Sequence, residues 1–173
     1  MNIVLLGYMA SGKTSIGRVL AKNLGYRFID LDDVIEDKEK KTVNEIFRSK
    51  GEIYFRKTES NFLNGIIKND DKLVLSLGGG TPCYGDNMKH LLNAPNSKTI
   101  YLKASIKTLT KRLINEKSKR PLISHIESED LLTEFIGKHI FERSPFYDQA
   151  DITVSTDDKT INEIIEAIIF NLF

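Results

Sequence analysis

The chain has 173 residues, carries 25 Lys plus Arg against 24 Asp plus Glu, and contains one cysteine, Cys83. That length suits a single compact domain with a real core, and the near-zero net charge argues against nucleic acid or an anionic membrane as the main partner. One cysteine excludes an internal disulfide and a cysteine-based metal cluster.

The chain opens on the apolar run Ile3-Val4-Leu5-Leu6, read as a first strand with no room before it for a targeting segment. Gly7-Tyr8-Met9-Ala10-Ser11-Gly12-Lys13-Thr14 follows, two glycines separated by four residues and then Lys-Thr. This is the P-loop pattern, a turn whose backbone N–H groups face an anion and which opens a helix with its positive end on phosphate. The helical spacing of Ile16, Val19, Leu20 and Leu24 supplies that helix, and Gly25 closes it. Ala10, Ser11, Gly12, Lys13, Thr14 and Ser15 are therefore the candidate nucleotide contacts. Lys13 brings a point charge to the outer phosphates, and the Thr14 hydroxyl suits Mg²⁺.

A second strand is predicted over Tyr26–Ile29 and a helix over Val34–Lys38. Between them lie Asp30, Asp32 and Asp33. If the strand continues through them, alternation turns Asp30 and Asp32 to one side and Asp33 to the other, with Asp33 the expected helix cap. Thr42 and Glu45 match a capping box, Gly51 interrupts, and Glu52–Ile67 is helical. Arg56 stands three residues before Glu59, close enough for the carboxylate to fix the guanidinium.

Leu73–Leu77 reads as a third strand apolar enough to be buried on both faces. Gly78, Gly79 and Gly80 follow directly, which suggests close backbone approach to a ligand. Helices are expected over Met88–Leu92, Ile106–Asn115 and Glu129–Glu142, with strands over Lys98–Leu102 and Asp151–Val154 and a last helix capped by Thr156. Arg143 is expected where the penultimate helix ends. Asn115–Ser128, polar and containing Arg120-Pro121, lacks apolar rhythm and reads as either a surface loop or a mobile basic lid that excludes water. Ile164–Phe173 is broken by Glu166 and Asn171 and is too short to span a bilayer. Strands alternating with helices imply an α/β fold with a parallel sheet covered on both faces.

The P-loop, Phe28-Ile29-Asp30-Leu31-Asp32 with Ile35-Glu36, Phe55-Arg56, Leu75 to Gly80, Arg120-Pro121-Leu122 and Arg143-Ser144-Pro145-Phe146-Tyr147 occur in the order seen in shikimate kinases. The resemblance covers essentially the whole chain. It implies a P-loop NTPase fold like that of the nucleoside monophosphate kinases, with five strands in the order 2-3-1-4-5 flanked by helices. One kinase domain would span residues 1–173, with a substrate-binding segment near 31–61 and a mobile lid near 112–127. The implied reaction moves the ATP γ-phosphate to the 3-hydroxyl of shikimate, a step of aromatic amino acid biosynthesis, in a cytoplasmic monomer without nucleic acid or membrane partners.

Carried over by motif, Asp32, Arg56, Gly78, Gly79, Gly80 and Arg143 become the shikimate contacts. Lys13, Asp32 and Arg120 become the catalytic set, with Arg112 and Arg120 on the nucleotide. Thr14 would hold Mg²⁺ directly and Asp30 through water, while Ser76 stands where other P-loop enzymes have a Walker-B aspartate. Two positions depart from the family pattern. Ala10 replaces a glycine, acceptable if its φ is negative, and Thr14 replaces a common serine. The alternatives are another small-molecule P-loop kinase, such as a gluconate kinase, or a nucleotide-gated switch. Against the switch, no Asn-Lys-x-Asp guanine-reading segment follows a strand, since Asn69-Asp70-Asp71-Lys72 precedes one.

Overall fold

A computed structural model describes residues 1–120 and 122–173. β1 (Asn2–Leu6) leads into α1 (Lys13–Leu24), then β2 (Arg27–Asp30), α2 (Leu31–Glu39), α3 (Val43–Lys50) and α4 (Glu52–Asn69). β3 (Leu73–Ser76), α5 (Asn87–Leu92), β4 (Ser97–Lys103), α6 (Ile106–Ile114), α7 (Glu129–Tyr147), β5 (Ile152–Ser155) and α8 (Ile161–Leu172) complete the chain. The five strands pair in parallel in the order β2-β3-β1-β4-β5.

The central strand explains the layering. Every residue of β1 is buried, so its alternating side chains must be covered from both sides. Val4 and Leu6 enter one core with Leu73, Leu75 and Tyr101, under the helices α2 to α7. Ile3 and Leu5 enter the other with Val74, Ile100 and Leu102, under α1 and α8. The chain leaves β1 toward β2 and leaves β3 toward β4, so the connections diverge between β1 and β3. In open α/β sheets that switch point is where ligands bind. Register sets Leu5, Ser76 and Asp30 in one row at this edge, directly before the P-loop, the glycine triplet and α2.

Three expectations need correction. β2 ends at Asp30, and Asp30 itself caps α2 by accepting the Asp32 N–H at 3.2 Å, so strand alternation does not orient Asp32 and Asp33. Both lie in the first turn of a helix, where Asp32 is half-buried and Asp33 exposed. Thr156 is a buried loop residue bonded to the Lys103 carbonyl, and Thr160 forms the capping box of α8 with Glu163. α7 runs on past Glu142 to Tyr147 with Pro145 inside it, which leaves Arg143 within the helix. Proline lacks the N–H that would reach Phe141, and the Ser144 hydroxyl donates to that carbonyl instead.

The Asn115–Ser128 stretch is less free than its polarity suggests, because Ile123 and Ile126 are buried in the larger core. Pro121, part of the Arg120-Pro121-Leu122 motif, lies outside the described residues.

α1 lies unusually close to the sheet. A Cβ at Gly17 would fall 2.6 Å from a Phe28 ring carbon and 3.1 Å from Leu5 Cδ1. Gly17→Leu gains about 1 kcal/mol of helix propensity, yet overpacking of this kind typically costs about 1–3 kcal/mol or more. The expected outcome is a lowered midpoint in urea denaturation; an unchanged or raised midpoint would show that this contact is slack.

Candidate active site

The residues singled out from sequence converge at the carboxyl edge of β1, β2 and β3. A cleft of about 530 Å³ is walled by Ala10 to Ser15, Asp30, Asp32, Gly78, Gly79, Arg112 and Arg120. Gly7 and Gly12 adopt φ of 148° and 99°, which curls the loop back over β1. A side chain at Gly7 would meet the Leu102 carbonyl at 2.7 Å. α1 then starts with no side-chain cap and no acidic residue in its first turn, whereas Ser or Thr caps α3, α6, α7 and α8. Its first amides are left for an anion. Thr14 and Ser15 lie exposed on this turn, and the buried Ser11 hydroxyl has no partner of its own among the described residues.

Ala10 corrects the expectation of negative φ, since it sits at φ 62°. The P-loop turn demands the left-handed region here, and Arg112 holds it by donating to the Ala10 carbonyl at 2.9 Å. Lys13 is buried and donates to the carbonyls of Gly7 and Tyr8 at 2.8 and 2.9 Å. Burial lowers its pKa to about 8, against the raising influence of Asp30 and Asp32. Asp32, facing that lysine, shifts in the opposite direction. Burial first, then Asp30 and Glu59, push Asp32 up to about 7. Asp30 spends one oxygen on the α2 cap and accepts the Thr14 hydroxyl at 2.9 Å on the other.

Arg56, Gly80 and Arg143 do not line that cleft but adjoin it through the glycine triplet. A Cβ at Gly78 would lie 3.3 Å from Asp32 Oδ1, one at Gly79 would lie 3.2 Å from Arg143 Nη1, and one at Gly80 would lie 2.5 Å from Arg56 Nη2. Three charged groups, distant in sequence, are thus pressed against one backbone, and a side chain at any of the three positions would crowd one of them. The predicted Arg56–Glu59 pair is present at 2.8 Å, and Glu59 is fully buried with a second bond from Thr81 at 2.6 Å. Ser76, at the Walker-B position, is buried in the cleft floor.

Sequence reasoning missed several participants. Glu116 accepts both Nε and Nη2 of Arg120 at 3.0 and 2.8 Å, and its four-residue offset was a readable helical-spacing signal. Ile161 and Ile164 of α8 also line the cleft, beside Thr156 and Lys159 of the 156–159 segment that the resemblance sets at the adenine. No local pattern marks the two isoleucines, because α8 reaches the cleft only once β5 joins the sheet edge. Cys83 is half-buried with its thiol pKa raised by burial, as suits an inert side chain.

The family model described as shikimate kinase matches residues 9–172. The chain belongs to the shikimate kinase family. A shikimate kinase from Flavobacterium psychrophilum is 47% identical over 167 residues, covering 96% of this chain and 95% of that protein. The crystal structure of shikimate kinase from Bacteroides thetaiotaomicron superposes with a TM-score of 0.91 at 35% identity, covering 99% of this chain and 98% of the other. The Acinetobacter baumannii shikimate kinase, in complex with shikimate, gives a TM-score of 0.86 at 31% identity, with coverages of 99% and 92%. Membership of the shikimate kinases sets aside the gluconate-kinase and nucleotide-switch alternatives, and the observed strand order is the one the resemblance implied.

Two outcomes follow for this shikimate kinase's fold. An L-residue held left-handed costs about 1–2 kcal/mol, while glycine's extra freedom in the unfolded chain returns about 0.4–1 kcal/mol. Ala10→Gly is therefore expected to raise the melting temperature slightly, and a lowered melting temperature would refute the strain. Asp32 holds a proton in the folded state, up to a pH of about 7, that the unfolded chain releases near 3.8, so its contribution to stability falls as pH rises between those values. Asp32→Asn escapes that cost. It should melt above the wild type at pH 8, with the gap closing toward pH 4, and a pH-independent gap would contradict the shifted pKa.

Proposed function

We propose that this shikimate kinase phosphorylates the 3-hydroxyl of shikimate with Asp32 as the acceptor-side base, Lys13 and Arg120 as charge stabilisers, and Arg56 with Arg143 as the carboxylate clamp. The observation that carries this reading is the glycine triplet, which seats Asp32, Arg56 and Arg143 on one short backbone beside Lys13. Two guanidiniums can grip a carboxylate bidentately. Gly78, Gly79 and Gly80 bring backbone close to a ring rich in hydroxyls, and Asp32 lies on the Lys13 side where the reacting hydroxyl would enter.

Phosphoryl transfer is mostly a matter of alignment and charge, with the hydroxyl proton accepted late. An aspartate whose pKa is near 7 is partly ionised at neutral pH and basic enough to take that proton, becoming the neutral acid. Lys13 and Arg120 supply positive charge for the migrating group. Arg112, fixed to the P-loop carbonyl, and the Thr156–Ile164 end of the cleft flank the nucleotide. The Thr14 hydroxyl and Asp30 carboxylate, already 2.9 Å apart, form the hard oxygen donor set that suits Mg²⁺. The ion, when bound there with ATP, would neutralise phosphate charge.

A single kinase domain over residues 1–173, with acceptor segment 31–61 and a lid over 112–127, completes the reading. Arg120, paired with Glu116, is then delivered by that lid. The protein acts as a cytoplasmic monomer on soluble substrates. No helix among the described residues is long and apolar enough to cross a membrane, which is compatible with that location.

The test is a coupled ADP-release assay with shikimate, run on wild type and Asp32→Asn. The variant should bind ATP normally by calorimetry while kcat falls by about 10²–10⁴-fold. In the wild type, kcat/KM for ATP should rise with pH as Asp32 ionises near 7 and fall above about 8 as Lys13 loses its proton. Asp33→Asn, on the exposed side of α2, should lose little. A greater loss in Asp33→Asn than in Asp32→Asn overturns the assignment.

A further inference from the structure

Among the described residues, Arg143 has no carboxylate as a hydrogen-bond or ion-pair partner, unlike the other proposed acceptor arginine, Arg56. Arg56 is held by Glu59 in a 2.8 Å ion pair. Arg143 instead lies over an aromatic face, its guanidinium carbon 5.7 Å from the ring centroid of Tyr8. Tyr8 is a P-loop residue and is 2% exposed. Its hydroxyl meets His139 Nδ1 at 2.9 Å, and the two rings are edge to face at 5.6 Å and 80°. His139 stands one helical turn before Arg143 on α7, backed by Phe135 at 5.1 Å. The same tyrosine's backbone carbonyl accepts Lys13 Nζ at 2.9 Å. On the opposite side, Tyr147 donates to the Gly79 carbonyl at 2.5 Å, and Gly79 abuts Arg143.

These contacts give Tyr8 more work than filling space. A guanidinium that must remain free to take a substrate carboxylate cannot be held by a resident carboxylate, which would compete for it. An aromatic face attracts the cation without using its N–H donors. The hydroxyl bond to His139 anchors the far end of the ring, and it ties the P-loop to the helix that carries the arginine. Burial keeps the phenol neutral and disfavours imidazolium, with Arg143 adding to the second effect and Glu142 opposing it, so the pair is a neutral hydrogen bond at physiological pH.

We infer that Tyr8, braced by His139, is a positioning residue for the acceptor: its ring holds Arg143 ready for the shikimate carboxylate, while its carbonyl holds the nucleotide lysine. This rests on Arg143 being a carboxylate ligand, as proposed above.

The coupled ADP-release assay separates the two ideas when run on four variants with melting curves in parallel. Tyr8→Phe keeps the ring and loses the brace, and His139→Leu loses the brace from the other side. Both are expected to raise KM for shikimate about three- to tenfold, with KM for ATP and kcat changing much less. His139→Asn retains an acceptor near the Nδ1 position and should restore most of the affinity. Arg143→Lys should raise KM for shikimate by at least as much as either. If Arg143→Lys leaves that KM unchanged, the carboxylate reading itself fails. If Arg143→Lys raises it while Tyr8→Phe and His139→Leu stay within twofold of wild type, the positioning role alone is wrong. Equal losses in shikimate KM, ATP KM and kcat would likewise overturn it, since they would mark a general packing role. Should Tyr8→Phe fail to fold, His139→Leu and His139→Asn decide the question, because His139 is only half-buried.

Discussion

The buried ammonium of Lys13 is the constraint around which the mouth of this protein is organised. A desolvated cation must find acceptors, and Lys13 finds the carbonyls of Gly7 and Tyr8, which draws the loop into a ring around it. That curl requires left-handed backbone at Gly12 and at Ala10, where Arg112 braces the strained carbonyl. It also leaves the first amides of α1 without caps. Anion-binding capacity and local strain therefore have one origin.

Charge around that lysine is distributed unevenly, and the unevenness is chemically useful. Asp30 is committed to a helix cap and to Thr14, and Glu59 to Arg56 and Thr81. Asp32 is buried, crowded by both carboxylates and without a comparable donor among the described residues, so its proton affinity rises into the neutral range. Arg56 and Arg143, the two arginines against the glycine triplet, differ as well. Arg56 is pinned by a buried ion pair to Glu59 and also lies over the Phe55 ring, whereas Arg143 rests on the Tyr8 ring, shares a hydrogen bond with Tyr147, and has no carboxylate partner among the described residues. Glu59 and Arg56 are thus committed to a charged partner, and Asp32 and Arg143 are not.

Much of this was legible in the chain itself. The P-loop, the alternation of strands and helices, the capping box at Thr42 and the Arg56–Glu59 pair all depend on neighbours within a few residues, and each is present. Errors arose where two local signals competed. The Asp30-Leu31-Asp32-Asp33 run reads locally as strand continuing into a cap at Asp33, but Asp30 accepts the Asp32 amide and starts the helix three residues earlier. Thr156 looked like a cap because a hydroxyl precedes an apolar helix, yet Thr160 with Glu163 completes the reciprocal bonds and Thr156 does not. Arg143 seemed to end its helix because Pro145 follows, and the helix tolerates that proline through the Ser144 hydroxyl.

By itself, then, the sequence determined the α/β class, the phosphate-binding turn and the set of charged residues available for chemistry, since periodicity, glycine spacing and caps act over one or two helical turns. Only the tertiary structure decided which of those residues meet. Parallel pairing sets β3 and β4 on either side of β1, and that strand order, which no spacing encodes, brings Gly78 to Gly80 against Asp32, Arg56 and Arg143. The same packing sets Tyr8 beside His139, 131 residues away in the chain. Tyr8 fills an unspecified place of the P-loop pattern and His139 belongs to no motif, because what makes them a pair is a 2.9 Å contact created by the docking of α7 against the P-loop.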